Sequence, residues 1–255
     1  MPLSKLIQRL TLKVLTINAH KGFTIFNRRF ILRELRDAVR QAAPDIVCLQ
    51  EILGEEQRRT ARIKESPVLS QYEFLADTLW PEFAYGRNAV YPRGHHGNAV
   101  LSKYPISTYK NYDVSISPHE GRGLLHCILN PVDMGLNVHV ICVHLGLRES
   151  HRRHQLRRLC DLVSSTLPND EPLIIAGDFN DWRQRAEGLL QRCGVTEVFA
   201  SSLGRPVRTF PARCPLLRLD RIYVRNVKAS RPIMMAARPW SRLSDHIALS
   251  AEIQL

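Results

Sequence analysis

The sequence predicts an α/β protein of two stacked β-sheets with helices on the outside. Three observations predict it. Many short apolar segments are separated by turn residues. Helical spacing occurs in only a few stretches. Some segments, such as Asp45–Glu51 and Pro172–Gly177, are apolar nearly throughout, as strands covered on both faces are.

The elements follow in order. Lys13–Asn18 reads as a strand. Arg28–Ala42 places Phe30, Ile31, Leu35, Ala38 and Val39 at helical spacing, and Pro44 ends that helix. Asp45–Glu51 is a buried strand that finishes on polar residues, and Ser70–Trp80 is a short helix. Strands are then expected around Phe83–Tyr85, Asn98–Leu101, Tyr109–Val114, Gly123–Leu129 and Asn137–Leu145. Glu149–Leu167 is a long basic helix, Pro172–Gly177 an apolar strand, and a further helix runs to about Cys193. The last strands lie around Arg218–Val224 and His246–Leu255. No repeat, low-complexity tract or Gly/Ser linker divides the 255 residues, so one domain over 1–255 is expected, its core beginning at about residue 12.

Composition excludes several classes. Hydrophobic residues make up 44% and charged residues 24%, which is globular and excludes a disordered chain. The longest unbroken apolar run, Ile233–Ala237, is far short of the ~20 residues of a membrane-spanning helix, so no transmembrane segment is expected. Lys5, Gln8, Arg9 and Lys13 interrupt residues 3–17, which read as no signal peptide. The six cysteines form no C-x-x-C motif and are too sparse for a disulfide scaffold; a reducing compartment, the cytoplasm, is the simplest expectation. Lys and Arg number 36 against 24 Asp and Glu, a net charge of +12. That balance favours anionic partners: nucleic acid, phosphorylated metabolites or an anionic membrane surface.

One pattern carries chemistry. Apolar strands end on amides, carboxylates or histidines: Val14–Ile17 on Asn18, Ile46–Leu49 on Gln50-Glu51, Val138–Val143 on His144, and Leu173–Ala176 on Gly177-Asp178-Phe179-Asn180. Asp220 lies within Leu219–Tyr223, and Ser244-Asp245-His246 precedes the final strand. Strands of one sheet can deliver their ends to one edge. That would gather Asn18, Glu51, Asp178, Asn180, Asp220 and Asp245 beside His144 and His246. Hard oxygen donors of this kind suit Mg²⁺ or Mn²⁺, which neutralises crowded carboxylates and polarises a phosphoryl oxygen. A carboxylate-held histidine can orient or deprotonate water. Phosphoryl hydrolysis fits better than acyl transfer, because the chain has no G-x-S-x-G elbow, no Walker-type phosphate loop and no H-E-x-x-H helix.

At these residues the chain resembles the endonuclease/exonuclease/phosphatase family, which includes deoxyribonuclease I. Thr16-Ile17-Asn18, Leu49-Gln50-Glu51, Val143-His144-Leu145, Gly177–Asn180, Leu219–Ile222 and Ser244-Asp245-His246 stand in that family's order. His20-Lys21-Gly22 and Gly94–Asn98 resemble its small bacterial members. The resemblance implies a four-layer α/β/β/α sandwich of two mainly antiparallel mixed sheets. It implies Glu51 as the main metal ligand with Asn18 near it and Asp245 as a further ligand. Asp178 and Asn180 would position water and phosphate, Asp220 would orient His246, and His144 and Arg122 would contact the phosphate. It implies a Mg²⁺-dependent phosphodiesterase, with Mn²⁺ a substitute, and the net positive charge tips the expectation toward an endo- or exonuclease acting on nucleic acid. The alternatives are a lipid-headgroup phosphodiesterase or an inositol-phosphate phosphatase. A non-catalytic phosphate-binding module would be expected to lack one of these carboxylates, and all are present. A monomer is expected. Relatives that cut apurinic DNA place an aspartate where this chain has His20, which argues against an identical metal shell and against abasic-site activity.

Other residues admit two readings. His95 and His96, between glycines, form a loop near the cleft or are simply solvated. His20-Lys21 contacts phosphate or is an exposed loop. Arg148–Arg158, with five arginines and two histidines, reads first as a solvated helix face and second as a phosphate or lipid-headgroup surface. Trp182 stacks on a base or lipid, or merely packs. Phe23, Ile25 and Phe26 form either an apolar rim for a lipid substrate or a core-packing segment.

Overall fold

The computed structural model describes residues 10–24, 29–56, 70–76, 80–131 and 135–255. Strands β1 (Thr11–Asn18), β2 (Ile46–Glu56), β3 (Glu82–Tyr91), β4 (Gly94–Ser102), β11 (Ala229–Met235) and β12 (Ala248–Gln254) make one sheet, in the order β11-β12-β1-β2-β4-β3. The second contains β5 (Ile106–Asp113), β6 (Gly123–Leu129), β7 (Val138–His144), β8 (Leu173–Asp178), β9 (Thr196–Glu197) and β10 (Asp220–Arg225), in the order β5-β6-β7-β8-β10-β9. β1 pairs with β2, and β7 with β8, in parallel; the other pairings are antiparallel. No helix among the described residues is long and apolar enough to cross a membrane.

Side-chain alternation builds the layers. Leu12, Val14, Ile46, Cys48 and Val100 of the first sheet meet Leu125, Val140, Cys142, Ile174 and Ile222 of the second in a buried central cluster. The other faces carry the helices. Leu15, Ile17, Val47 and Leu49 pack on helix α1 (Leu32–Ala42) through Leu32, Leu35 and Val39, with helix α2 (Gln71–Ala76) beside it. Ile141, Val143, Leu173 and Ile175 pack on helix α3 (Glu149–Ser165) through Leu156, Leu159 and Val163. Two short helices, α4 (Ala186–Leu190) and α5 (Val198–Leu203), complete the second half. The result is the expected α/β/β/α sandwich. The six cysteines are free, and Cys48, Cys127 and Cys142 are buried.

Several boundaries differ from expectation. α1 begins at Leu32, because Phe30 is used in a bridge to Phe23, their rings 5.3 Å apart. The helix expected over Ser70–Trp80 covers Gln71–Ala76, and residues 77–79 lie outside the described residues. β11 was hidden by Pro232, which an edge strand tolerates because its N–H side needs no partner. His95 and His96 lie on β4, not in a loop. Gly97 marks a close approach of strands there: a Cβ on it would meet the Gly86 carbonyl oxygen at 1.8 Å.

Trp80 is fully buried in the α1 layer, and its indole N–H donates to the Pro44 carbonyl at 2.9 Å. Trp80→Ala should cost about 3–5 kcal/mol through the cavity it leaves. Urea unfolding checks this. A loss under about 1 kcal/mol would mean the layer closes around the gap.

Candidate active site

The site begins where the apolar filling between the sheets stops. The inward series of β1 runs Leu12, Val14, Thr16, Asn18, and that of β2 runs Ile46, Cys48, Gln50. In the second sheet β7 runs Val138, Val140, Cys142, His144; β8 runs Ile174, Ala176, Asp178; and β10, antiparallel to β8, runs Val224, Ile222, Asp220. Register places Gly123, His144, Asp178 and Asp220 in one row across four strands. Asn18 faces that row from the other sheet, its amide nitrogen donating to Asp178 Oδ2 at 3.2 Å.

Glu51 joins the site through a backbone irregularity. Leu49 pairs with Ala99 and Ile52 with Gly97, so Gln50 and Glu51 together oppose Asn98, and Glu51 has φ 53°. Such a bulge re-aims one side chain, and a left-handed glutamate costs backbone energy that surrounding contacts must offset. The carboxylate lies 3.4 Å from the Asn18 amide nitrogen, 3.9 Å from Lys21 Nζ and 4.0 Å from His144 Nε2. Burial works to raise its pKa, but Lys21, His20 and the Asn18 hydrogen bond outweigh burial and hold it below the ordinary glutamate value.

Asp178 is held by its own turn. Asn180, at φ 49°, donates its backbone N–H to Asp178 Oδ1 (2.9 Å) and its amide to Oδ2 (3.2 Å) and to the Leu145 carbonyl (3.0 Å). Gly177 permits this turn at φ 152°, where a Cβ would strike the Val143 carbonyl oxygen. Full burial, reinforced by the Asp220 charge, raises Asp178 to about 7 despite the opposing pull of His246. His246 Nδ1 meets Asp220 Oδ2 at 2.9 Å, and its Nε2 lies 4.0 Å from Asp178. Burial alone would lower this imidazole, yet Asp220 and Asp178 raise it to about 10, so it stands protonated at neutral pH. His144 is the reverse. Burial and the nearby Arg122 and His96 hold it well below the usual histidine value, leaving a neutral ring 3.7 Å from Asp178.

Asp245 completes the edge. Its carboxylate is 3.4 Å from His20 Nδ1 and 3.3 Å from Ser244 Oγ, which donates to the Asn18 carbonyl at 2.6 Å. The His20 backbone N–H donates to Asn18 Oδ1 at 3.0 Å. Arg122 donates one Nη to the Gly121 carbonyl, while its Nε is buried without a partner among the described residues.

All the residues singled out by motif (Asn18, Glu51, His144, Asp178, Asn180, Asp220, Asp245 and His246) therefore lie on this edge, with Arg122 electrostatically coupled to it. Sequence reasoning missed others. Asn98 continues the inward series of β4 after Val100, and that alternation is the signal for it; Gln50, the strand-end residue of β2, faces it from the neighbouring strand. Gln50 donates to Cys142 Sγ at 3.2 Å, and Asn98 to the Gly123 carbonyl at 3.0 Å. His96 is half-buried near Glu51 and Lys21, and burial followed by the Lys21 charge lowers it to about 4. Lys21, read as a phosphate contact or as part of an exposed loop, lies at the carboxylate cluster, 3.9 Å from Glu51. The solvated reading of α3 holds for Arg148, Arg153, His154, Arg157 and Arg158, which are exposed, and Arg152 is the exception. It is buried, donates to the Gly146 and Leu147 carbonyls, and lies 3.7 Å from Asp181. Its i, i+4, i+7 relation to Leu156 and Leu159 puts it on the inward stripe. Trp182 covers its guanidinium at 4.7 Å. Phe23 is buried, so it forms no rim, while Ile25 and Phe26 lie outside the described residues.

A divalent cation fits one side of this site. Asp178, Asp220 and His246 offer ligand atoms within 4.8 Å of one another. A protonated imidazole has no lone pair to offer, however, so that trio reads as an ion pair rather than a metal cage. The ionised Glu51 and the oxygens near it remain as hard donors, and Asp220 Oδ1 is buried without a partner among the described residues.

The family model described as "Endonuclease/Exonuclease/phosphatase family" matches residues 15–246. The chain belongs to that family, whose fold is that of phosphoester hydrolases. Its sequence is similar to the protein YbhP of Escherichia coli (strain K12), 58% identical over 249 residues that cover 97% of this chain and 98% of that one. YbhP of Shigella flexneri matches to the same extent. Among solved structures, the endonuclease/exonuclease/phosphatase from Beutenbergia cavernae DSM 12333 superposes with TM-score 0.74 at 18% identity, over 97% of this chain and 72% of that one. Truncated Caenorhabditis elegans TDP2 superposes with TM-score 0.69 at 20% identity, over 96% and 98%. At these identities the structures share the fold.

Proposed function

We propose that this chain is a Mg²⁺-dependent phosphodiesterase, able to use Mn²⁺, that cleaves nucleic acid by adding water in line to a phosphate ester. The observation that carries the reading is the meeting of two unlike halves at one edge. One sheet brings ionised Glu51 with Asn18, and the other brings the Asp178–Asp220–His246 ion pair and neutral His144.

Glu51, with Asn18 and Asp245, would hold the cation, which would neutralise charge on a phosphoryl oxygen and on the leaving oxygen. The protein's own groups divide the remaining work. Asp178 Oδ1 and Oδ2 are pinned by Asn180, and a carboxyl raised to about 7 is matched to taking a proton from water at neutral pH. Protonated His246 turns Nε2 toward the site while Asp220 holds Nδ1, so it can donate to a phosphate oxygen as negative charge grows there. Neutral His144 offers a hydrogen bond without repelling the cation. The unpartnered Arg122 Nε is a further donor for phosphate.

The net charge of +12 supports nucleic acid. Supercoiled plasmid incubated with the purified chain should be nicked with Mg²⁺ or Mn²⁺, and not with EDTA. A Glu51→Gln/His246→Ala double variant, purified in parallel, should leave it intact. Nicking equal in the double variant would sink the nuclease reading.

A further inference from the structure

Two cysteines far apart in the chain share one acceptor. Cys160 lies on α3, and Cys193 ends the 3-10 turn Gln191–Cys193 that follows α4. Both are half-buried. Both thiols donate to the Leu189 carbonyl of α4, at 3.5 and 3.6 Å. They are also hydrogen-bonded to each other, and that bond, after burial, raises the Cys160 thiol. A cation stands beside the pair. A Cβ on Gly194 would lie 3.7 Å from Arg225 Cδ, and Cys193 opposes the burial that lowers the Arg225 guanidinium. Arg225 is only 8% exposed, and its Nε has no partner among the described residues. Cys48 and Cys142 adjoin each other too, but they are fully buried between the sheets, where no oxidant reaches them.

We propose that Cys160 and Cys193 are a redox-modification site, a dithiol that a small disulfide such as oxidised glutathione converts reversibly to an intramolecular disulfide. The sulfurs already adjoin, and the bond closes them to about 2.05 Å. The Cys193 thiolate, beside Arg225, attacks one sulfur of the small disulfide, whose S–S bond breaks and releases one thiolate. That thiolate takes the Cys160 proton. The Cys160 sulfur then attacks the Cys193 sulfur and expels the second small thiolate, which takes up the proton that Cys193 lost. Two protein thiols are oxidised, and one small disulfide is reduced to two thiols. The bond would close a loop that contains all of β8 with Asp178 and Asn180. The first turns of α3 already hold the segment that follows: Glu149 pairs with Arg183 at 3.0 Å and with Arg185 at 2.8 Å, and Arg152 lies 3.7 Å from Asp181. Linkage of Cys160 to Cys193 would pin the far end of that segment to the same helix. Closing such a loop removes freedom from the unfolded chain, so the oxidised form should be the more stable one.

The test starts from Cys214→Ser, which removes the exposed thiol that would otherwise join two chains. That chain is equilibrated with oxidised glutathione, quenched with acid, alkylated under denaturing conditions and digested for mass spectrometry. A peptide joining Cys160 to Cys193 is expected, and dithiothreitol should remove it. The linked chain should melt about 5 °C or more above the reduced chain. Adding Cys160→Ser should leave glutathione bound at Cys193, because no thiol remains to expel it, and adding Cys193→Ser should leave Cys160 largely unmodified. Adding both should give the same melting temperature with and without glutathione. Glutathione held at both cysteines without a link, a Cys48–Cys142 link in place of this one, or a linked chain that melts no higher than the reduced chain would overturn the proposal. None of these readouts depends on phosphodiesterase activity.

Discussion

Glu51→Gln is expected to lower metal-dependent phosphodiester hydrolysis by about a thousandfold, since Lewis-acid stabilisation is worth several kcal/mol and each 1.36 kcal/mol is tenfold in rate. The amide keeps the size of the side chain and can still meet the Asn18 side chain after turning, so the bulge should persist. What it loses is the charge that Lys21 and His20 sustain. A second readout follows from linkage. A cation that binds only the folded chain raises its unfolding temperature. Mg²⁺ should therefore stabilise the wild-type chain and leave the variant nearly unmoved. A variant whose melting temperature responds to Mg²⁺ as the wild type does would remove Glu51 from the metal site.

Asp220→Asn should cost about 10²–10³ in rate by depriving His246 of its charged partner. It also carries a pH signature. The folded-state pKa of His246 is raised, to about 10 against an ordinary 6.5. Such a group contributes stability that is fully present below about 6.5 and is lost as pH rises through about 10. Without the Asp220 charge the folded pKa falls, and that contribution shrinks. Wild-type and variant melting temperatures, measured in EDTA, should thus differ most at the acid side of this window and converge toward pH 10. Parallel curves across the window would show that Asp220 does not hold the imidazolium.

Much of this site was legible because strand alternation is a local property. Val138, Val140, Cys142 and then His144, or Ile174, Ala176 and then Asp178, state in sequence that an inward face changes from apolar to polar at one end. The same rule, pressed one step further along β4, also finds Asn98. Arg152 was missed because an arginine count suggested a charged surface, while its helical offset from Leu156 placed it inside. Flanking glycines suggest a loop at His95 and His96, yet both lie on β4. Here Gly97 answers to a neighbouring backbone only 1.8 Å from where its Cβ would lie.

By itself, the sequence determined which strands end on polar residues, the order of the six motifs and hence the family, because each depends on residues adjacent in the chain. Tertiary structure alone decided the rest. Register set His144, Asp178 and Asp220 in one row, and sheet stacking brought Asn18 to Asp178 across 160 residues of chain. The bulge turned Glu51 inward. These are long-range pairings, and burial and charge at each residue follow from neighbours that no local pattern names.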